Sequence, residues 1–279
     1  MTPLRQKMLE DMQLHGLSKR TQQSYVWAVR GLADYYHRSP AELAEEEIRQ
    51  FFLHLIDTRK LAKSTITVYL SGIKFFFEKT LGKTMPVFDL VRPRRRKKLP
   101  AVLTIEEIKN ILSLIRSPTI KMLLMMTYGC GLRLSEATHL KVADVDMSRM
   151  QVKVTGKGGK DRYVPLAQRS KQLLALYLNE HRPVKYLFIG KTVKGPIPGG
   201  TVQKAFKAAL KQTDINKPAT IHTLRHSYAT HLLENGIDIR IIQAALGHKH
   251  PSTTMVYAHL TSKSVAAYSK VLDAIMNSL

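Results

Sequence analysis

The run Arg92-Pro93-Arg94-Arg95-Arg96-Lys97-Lys98 constrains this chain more than any other feature of its sequence. Six cations around a proline cannot enter a core, because each charge would have to leave water without a partner. The stretch therefore reads as an extended, basic linker. It divides the 279 residues into a first domain at 1–90, a linker at 91–100 and a second domain at 101–279.

Before the linker the pattern is helical throughout. Residues 4–15 form one helix, and Ser18 opens another with Tyr25, Val29, Leu32 and Tyr36 on one face. Ser39-Pro40-Ala41-Glu42 reads as a capping box with proline at the first helical position, leading into Leu43, Ile48, Phe51, Phe52 and Leu55. Ser64 starts a fourth helix through Val68, Leu70, Ile73 and Phe77, stopped by Gly82. Four amphipathic helices in about ninety residues predict a small bundle.

After the linker, Thr104 to Glu107 is a second capping box, and Ser117-Pro118 opens an apolar helix ending near Gly129-Cys130-Gly131. Gln151–Thr155 and Arg162–Leu166 have strand character on either side of Gly156-Lys157-Gly158-Gly159, which predicts a hairpin. Tyr186–Ile189 reads as a further short strand. Helices are expected at 168–181, 201–213, 222–234, 238–246, 252–259 and 264–278. The fold class is therefore mainly α and multidomain: a four-helix bundle, then a mostly α domain with a small antiparallel β-sheet.

Charge narrows the partner. Forty-four Lys and Arg against 21 Asp and Glu leave a net +23. Residues 1–90 hold 13 basic and 10 acidic side chains, so residues 91–279 carry +20 of that excess. Such a field attracts polyanions, and nucleic acid is favoured over an anionic membrane because no basic amphipathic helix or lipidation motif accompanies it. One cysteine, Cys130, excludes an internal disulfide and argues against a cysteine-rich metal site. With no signal-like start and no membrane-spanning apolar run, a cytoplasmic, nucleoid-associated protein is expected.

Four pieces are candidates for chemistry, and each has a bland reading when taken alone. Arg133 and Glu136, in Tyr128-Gly129-Cys130-Gly131-Leu132-Arg133-Leu134-Ser135-Glu136, form an ordinary surface ion pair unless the glycine-rich break after a core helix holds the arginine for use. Lys157 sits in a glycine-rich turn that either is merely solvated or approaches a phosphate backbone closely. It belongs to no nucleotide-binding loop, since GxxxxGK[ST] is absent. His222 and Arg225 lie one helical turn apart, which suits an interhelical hydrogen bond as well as a site. His226 and His231 invite a metal, but no HExxH or acidic cluster joins them. His248 precedes Tyr257 by nine residues, and a tyrosine at such spacing is commonly a half-buried core residue.

Together these side chains suit attack on a phosphodiester. Two arginines bind the non-bridging oxygens, on which negative charge grows at phosphorus. A lysine protonates the leaving sugar oxygen, and a histidine helps remove the nucleophile's proton. A phenol, with a pKa near 10, leaves far more readily than an alkoxide, so a phosphotyrosine can be resolved by a second hydroxyl. Neither metal nor other cofactor is required.

The ordered set Arg133, Lys157, His222-x-x-Arg225, His248 and Tyr257 resembles the tyrosine recombinase and phage integrase family, in its Xer-like, minimal two-domain form. The resemblance covers almost the whole chain. It implies a SAM-like core-binding first domain, Tyr257 as nucleophile, Glu136 as the acidic residue supporting Arg133, and DNA contacts from Arg92, Arg94, Arg95, Arg96, Lys97 and Lys98. It implies a site-specific recombinase of double-stranded DNA, with a 3′-phosphotyrosine intermediate, serving integration, excision, transposition or dimer resolution. The partners implied are duplex DNA and three further copies of the chain, a homo-tetramer on paired sites formed from monomers; no membrane and no small-molecule substrate is expected. The chain starts almost at once with the bundle helices, which leaves no room for a preceding arm-binding domain. Only 55 residues, Ala167 to Ile221, separate hairpin and second motif, so no integron-type insertion is expected. The tail, with Val265, Ala266, Tyr268, Leu272 and Ile275, packs either on its own domain or, as the resemblance implies, on a neighbouring subunit.

The competing readings are a type IB topoisomerase-like enzyme that only relaxes supercoils, and a DNA-binding protein with a vestigial catalytic set. An RNA-binding role lacks the aromatic stacking motifs of known modules. Affinity for duplex DNA is expected to fall steeply between 50 and 200 mM salt, by roughly 10³-fold or more. A fluorescence titration at stepped salt concentrations checks this, and a flat dependence would contradict the polyanion reading.

Overall fold

Thr2 and Ser18 start the first two helices, their hydroxyls accepting from Arg5 N at 3.4 Å and Thr21 N at 3.3 Å. In the computed structural model, α1 is Pro3–Leu14 and α2 is Lys19–Tyr36. The structure describes residues 2–91, 101–156, 161–190, 195–247 and 262–279. It divides into two compact units, Met1–Lys98 and Leu99–Leu279. The linker run Arg92–Lys98, Lys157 and the helix expected at 252–259 lie outside the described residues.

The third helix departs from expectation. Pro40–Glu42 forms one 3₁₀ turn, Ser39 caps nothing with its side chain, and α3 (Glu45–Leu53) begins later. Leu43 is the reason: it is extended and buried, so the chain breaks to drive that side chain into the core. Glu47 takes over the reach-back role, its Oε2 accepting from Ala44 N at 2.8 Å. From α3 the chain continues as a π-helical stretch, His54–Thr58, which keeps Leu55 inward. Helix α4 (Lys63–Phe75) opens at Lys63 rather than Ser64 and likewise runs into a π-helical stretch, Phe76–Thr80. The short α5 (Val87–Leu90) was not foreseen. Glu45 Oε1 accepts from Val87 N at 2.6 Å and stands in for the missing cap. Leu32, Ile48, Phe52, Ile73 and Phe77 fill this unit's core.

In the second unit Thr104 and Glu107 form the expected reciprocal box at the start of α6 (Ile105–Ser113), at 3.2 and 2.8 Å. Helix α7 (Pro118–Gly129) is buried along most of its length, and the short α8 (Leu134–Thr138) follows the glycine break. Strands β1 (Val145–Asp146), β2 (Gln151–Thr155) and β3 (Asp161–Pro165) form an antiparallel sheet in that order, with Val152 opposite Val164. Tyr186–Ile189 contributes two isolated bridges, to Lys141 and Pro196, rather than a strand. Then come α9 (Gln168–His181), α10 (Gly199–Leu210), α11 (Ile221–Glu234), α12 (Ile239–Leu246) and α13 (Ser262–Asn277). Helix α7 packs against α6, α8, α9 and α11 and is the axis of this unit.

Within the single chain the tail takes one of its two expected positions, on its own domain. Tyr268, Leu272, Ile275 and Met276 of α13 are buried in their own unit's core. Met276 sits where Gly129 has no side chain: a Cβ there would lie 3.0 Å from its sulfur. Asp273 accepts from Gln168 N at the start of α9, where helix amides lack intrahelical partners, and the Tyr268 hydroxyl is hydrogen-bonded to that of Tyr228. Because Leu272 is fully enclosed, Leu272→Ala should cost about 2–5 kcal/mol of stability in denaturant unfolding. A loss below about 1 kcal/mol would contradict docking in cis, since it is less than a buried leucine cavity costs.

Candidate active site

Glu136 is the centre from which the site is built. The chain reverses at Gly131, and Arg133 becomes the extended residue before α8. The Glu136 carboxylate folds back to accept from Arg133 N at 2.9 Å, as an acid in the first turn of a helix commonly does. That places Oε1 2.7 Å from Arg133 Nη1, so the RxxE spacing is a helix start and an ion pair at once. The pair is not the ordinary surface bridge of its bland reading, because the Glu136 side chain is only 5% exposed.

Two more guanidiniums meet the same carboxylate. Arg225, on α11, lies 3.7 Å from Oε2 and donates to the Gly131 carbonyl at 2.6 Å. Arg162, on β3, binds both oxygens at 3.0 and 2.8 Å. Burial alone would raise the Glu136 carboxyl, but the hydrogen bonds from Arg162 and Arg133 outweigh it and hold the group at about 2. Arg225 is pushed down to about 10 by burial and by the neighbouring charge of Arg133, so it remains a cation at neutral pH. Three guanidiniums thus face one carboxylate. Arg133 is the most accessible of them, its side chain 35% exposed against 7% and 8% for Arg225 and Arg162.

The C-terminus of α12 closes the cluster. Its last carbonyls have no intrahelical partners and form the negative end of the helix dipole. Ala245 O accepts from Arg162 Nε at 2.7 Å. Leu246 O accepts from Arg225 Nη2 and from Arg133 Nη1, and Gly247 O from Arg133 Nη2. Gly131 is required at the other side: its φ is +59°, and a Cβ would lie 2.6 Å from the Tyr228 ring.

Of the residues singled out from sequence, Arg133, Glu136 and Arg225 are brought together. His222 is exposed on α11, one turn before Arg225. Lys157, His248 and Tyr257 lie outside the described residues, as do Arg92, Arg94, Arg95, Arg96, Lys97 and Lys98. His226 is held below its usual range by partial burial and by the charges of His222 and Arg225. His231 is buried and shares a 2.7 Å hydrogen bond with the Tyr128 hydroxyl, which fixes α11 against α7. Among the described residues no group of three or more His, Cys, Asp or Glu side chains is placed to hold a metal ion.

Sequence reasoning missed Arg162. The signal was available, since strand alternation puts it on the same face as the buried Val164, and an inward arginine demands an anionic partner. It also missed an open groove of about 530 Å³ in the first unit, where Arg20, Gln23, Ser24 and Trp27 of α2 face Ser64, Thr65 and Val68 of α4.

Comparison with known proteins gives a consistent result. The model described as the phage integrase family matches residues 101–264, and that of its N-terminal SAM-like domain matches residues 4–86. An integrase/recombinase relative from Sinorhizobium fredii (strain NBRC 101917 / NGR234) is 38% identical over 277 residues, covering 99% of this chain and 90% of its own. Tyrosine recombinase XerD of Staphylococcus aureus is 34% identical over 273 residues, 90% of this chain and 91% of the relative. Among solved structures, a lambda integrase (residues 75–356) dimer bound to a COC′ core site matches with a TM-score of 0.72 at 21% identity, over 90% of this chain and 95% of that one.

The depressed Glu136 carboxyl makes a pH prediction. A carboxyl at about 2 in the folded chain, against an ordinary 4.5, adds stability that is present above 4.5 and lost as pH falls toward 2. Denaturant midpoints measured across that window should fall with pH, and less steeply in Glu136→Gln. Equal slopes in the two proteins would contradict the cluster.

Proposed function

The chain belongs to the phage integrase family and is a site-specific DNA recombinase, and we propose that Tyr257 is its nucleophile. The observation that carries this reading is the excess of guanidinium over carboxylate at Arg133, Arg225 and Glu136, gathered on the end of the helix that leads into His248. Such a site is short of one anion. A phosphodiester supplies it, and its non-bridging oxygens gain further charge as phosphorus becomes five-coordinate.

In the proposed step the Tyr257 phenolic oxygen forms a bond to phosphorus while the bond from phosphorus to the 5′ oxygen breaks. The phenol proton passes to a histidine base, His222, and Lys157 donates a proton to the departing 5′ oxygen. Arg133 and Arg225 hold the non-bridging oxygens, and His248 adds a further donor to the phosphate. The product is a 3′-phosphotyrosine and a free 5′ hydroxyl. Attack by the 5′ hydroxyl of another strand reverses the same bonds and releases the tyrosine. The ester conserves the bond energy, so no nucleotide is consumed.

The substrate is double-stranded DNA held at paired sites by four copies of the chain, two active at a time, assembled from monomers. The linker cations Arg92, Arg94, Arg95, Arg96, Lys97 and Lys98 contact the phosphate backbone. The groove between α2 and α4, with its guanidinium, amide and hydroxyl groups, suits DNA contact by the first unit. No helix among the described residues is long and apolar enough to cross a membrane. On this reading the protein works on the chromosome, at the nucleoid in the cytoplasm.

A suicide DNA duplex, nicked so that the cleaved fragment diffuses away, tests the assignment. The wild-type protein should give an adduct that survives denaturation, and Tyr257→Phe should give none. An adduct of undiminished yield in Tyr257→Phe would assign the nucleophile elsewhere.

A further inference from the structure

We propose that Arg162 is a positioning residue for the strand-cleavage chemistry, a third guanidinium that sets the phosphate-binding pair without touching DNA. The inference rests on the recombinase reading above and extends it to a residue of the predicted hairpin to which the sequence assigned no role.

Arg162 is almost wholly buried, yet it joins three segments far apart in the chain. Its fork grips both oxygens of Glu136, at 3.0 and 2.8 Å, and its Nε binds the carbonyl of Ala245 at 2.7 Å. Gly247 lies directly against it: a Cβ there would fall 3.1 Å from the Arg162 Cδ and 3.3 Å from Nε and Nη1. Gly247 also adopts φ +63°, a left-handed conformation that ends α12 one residue before His248. One side chain therefore fixes the carboxylate that orients Arg133, the helix end whose carbonyls hold Arg133 and Arg225, and the backbone entering His248.

The geometry separates this role from direct substrate binding. Arg162 holds both oxygens of Glu136 and its side chain is 8% exposed, whereas Arg133, 2.7 Å from one of those oxygens, is 35% exposed. Without Arg162, both carboxylate oxygens would turn to Arg133 and Arg225 and neutralise the cations that the phosphate needs. Burying a lone carboxylate between only two cations would also draw those two together. A bidentate fork on a rigid strand is what prevents this, and a lysine cannot reproduce it.

The test measures single-turnover adduct formation on the suicide duplex for wild type, Arg162→Lys and Arg162→Met. Duplex affinity is measured in parallel, each change being combined with Tyr257→Phe. Folded variants should bind DNA within about threefold of wild type, a small change for a residue with no phosphate contact. Arg162→Met should form adduct on the order of 100-fold more slowly, a loss typical of a misplaced electrostatic group, and Arg162→Lys should fall between. On a duplex whose scissile phosphate is replaced by a methylphosphonate, a methyl group stands in place of one non-bridging oxygen and the linkage is neutral, so the gap between variant and wild type should shrink. Three outcomes would overturn the proposal: adduct rates within about threefold of wild type, a smaller effect than a lost transition-state contact produces; affinity and rate falling together; or a defect unchanged on the methylphosphonate. Should the methionine variant fail to fold, the lysine variant, which keeps the buried charge, decides between these outcomes. An absence of adduct from the wild type itself would instead refute the recombinase reading.

Discussion

A single carboxylate, that of Glu136, organises the second unit's candidate site by being buried among three guanidiniums. A lone buried carboxylate is costly, and each arginine would be costly too if it were enclosed alone. Their desolvation is offset only when all four groups meet with good geometry. This condition ties the residues after α7 to a strand, to the middle of α11 and to the end of α12. Removing one partner leaves the others uncompensated, so the cluster forms as a whole. The hydrophobic core around α7 supplies most of the stability, while the charge cluster specifies how its surrounding elements are registered.

The cluster holds more guanidinium than carboxylate. The single carboxylate does not balance three cations, and the remaining negative potential comes from the helix end, whose carbonyls carry only partial charge. Arg225 shows the consequence, its guanidinium being pushed down to about 10 by burial and by its cationic neighbours. A phosphate entering beside Arg133 would relieve that repulsion and gain bidentate donors, with their orientation fixed in advance. Preorganisation of this kind favours the five-coordinate state over the ground state because charge on the phosphoryl oxygens grows toward it.

Much of this was legible in the sequence because local chemistry decided it. Thr104 and Glu107 form the reciprocal cap that their spacing implies, and Ser117-Pro118 opens α7. The glycines before Arg133 mark a reversal that only a left-handed residue permits. Other features depended on tertiary packing and were not legible. Ser39 loses its helix because Leu43 is drawn into the core, and the seat of Met276 in the gap above Gly129 is set by side chains far apart in the chain. Arg162 was hidden by its setting: attention falls on the glycine-rich turn, while the inward face of the strand that follows carries a charge whose partner is 26 residues earlier.

The central claim is that Arg133 and Arg225 hold one phosphate of duplex DNA while Arg162 stays behind them. A crystal or cryo-electron microscopy structure of the Tyr257→Phe protein on its DNA site measures this directly. The account predicts the non-bridging oxygens of the scissile phosphate within hydrogen-bonding distance of both guanidiniums, with Arg162 still forked on Glu136. A phosphate bound elsewhere, or the Glu136 carboxylate released from Arg162 when DNA is bound, would contradict it.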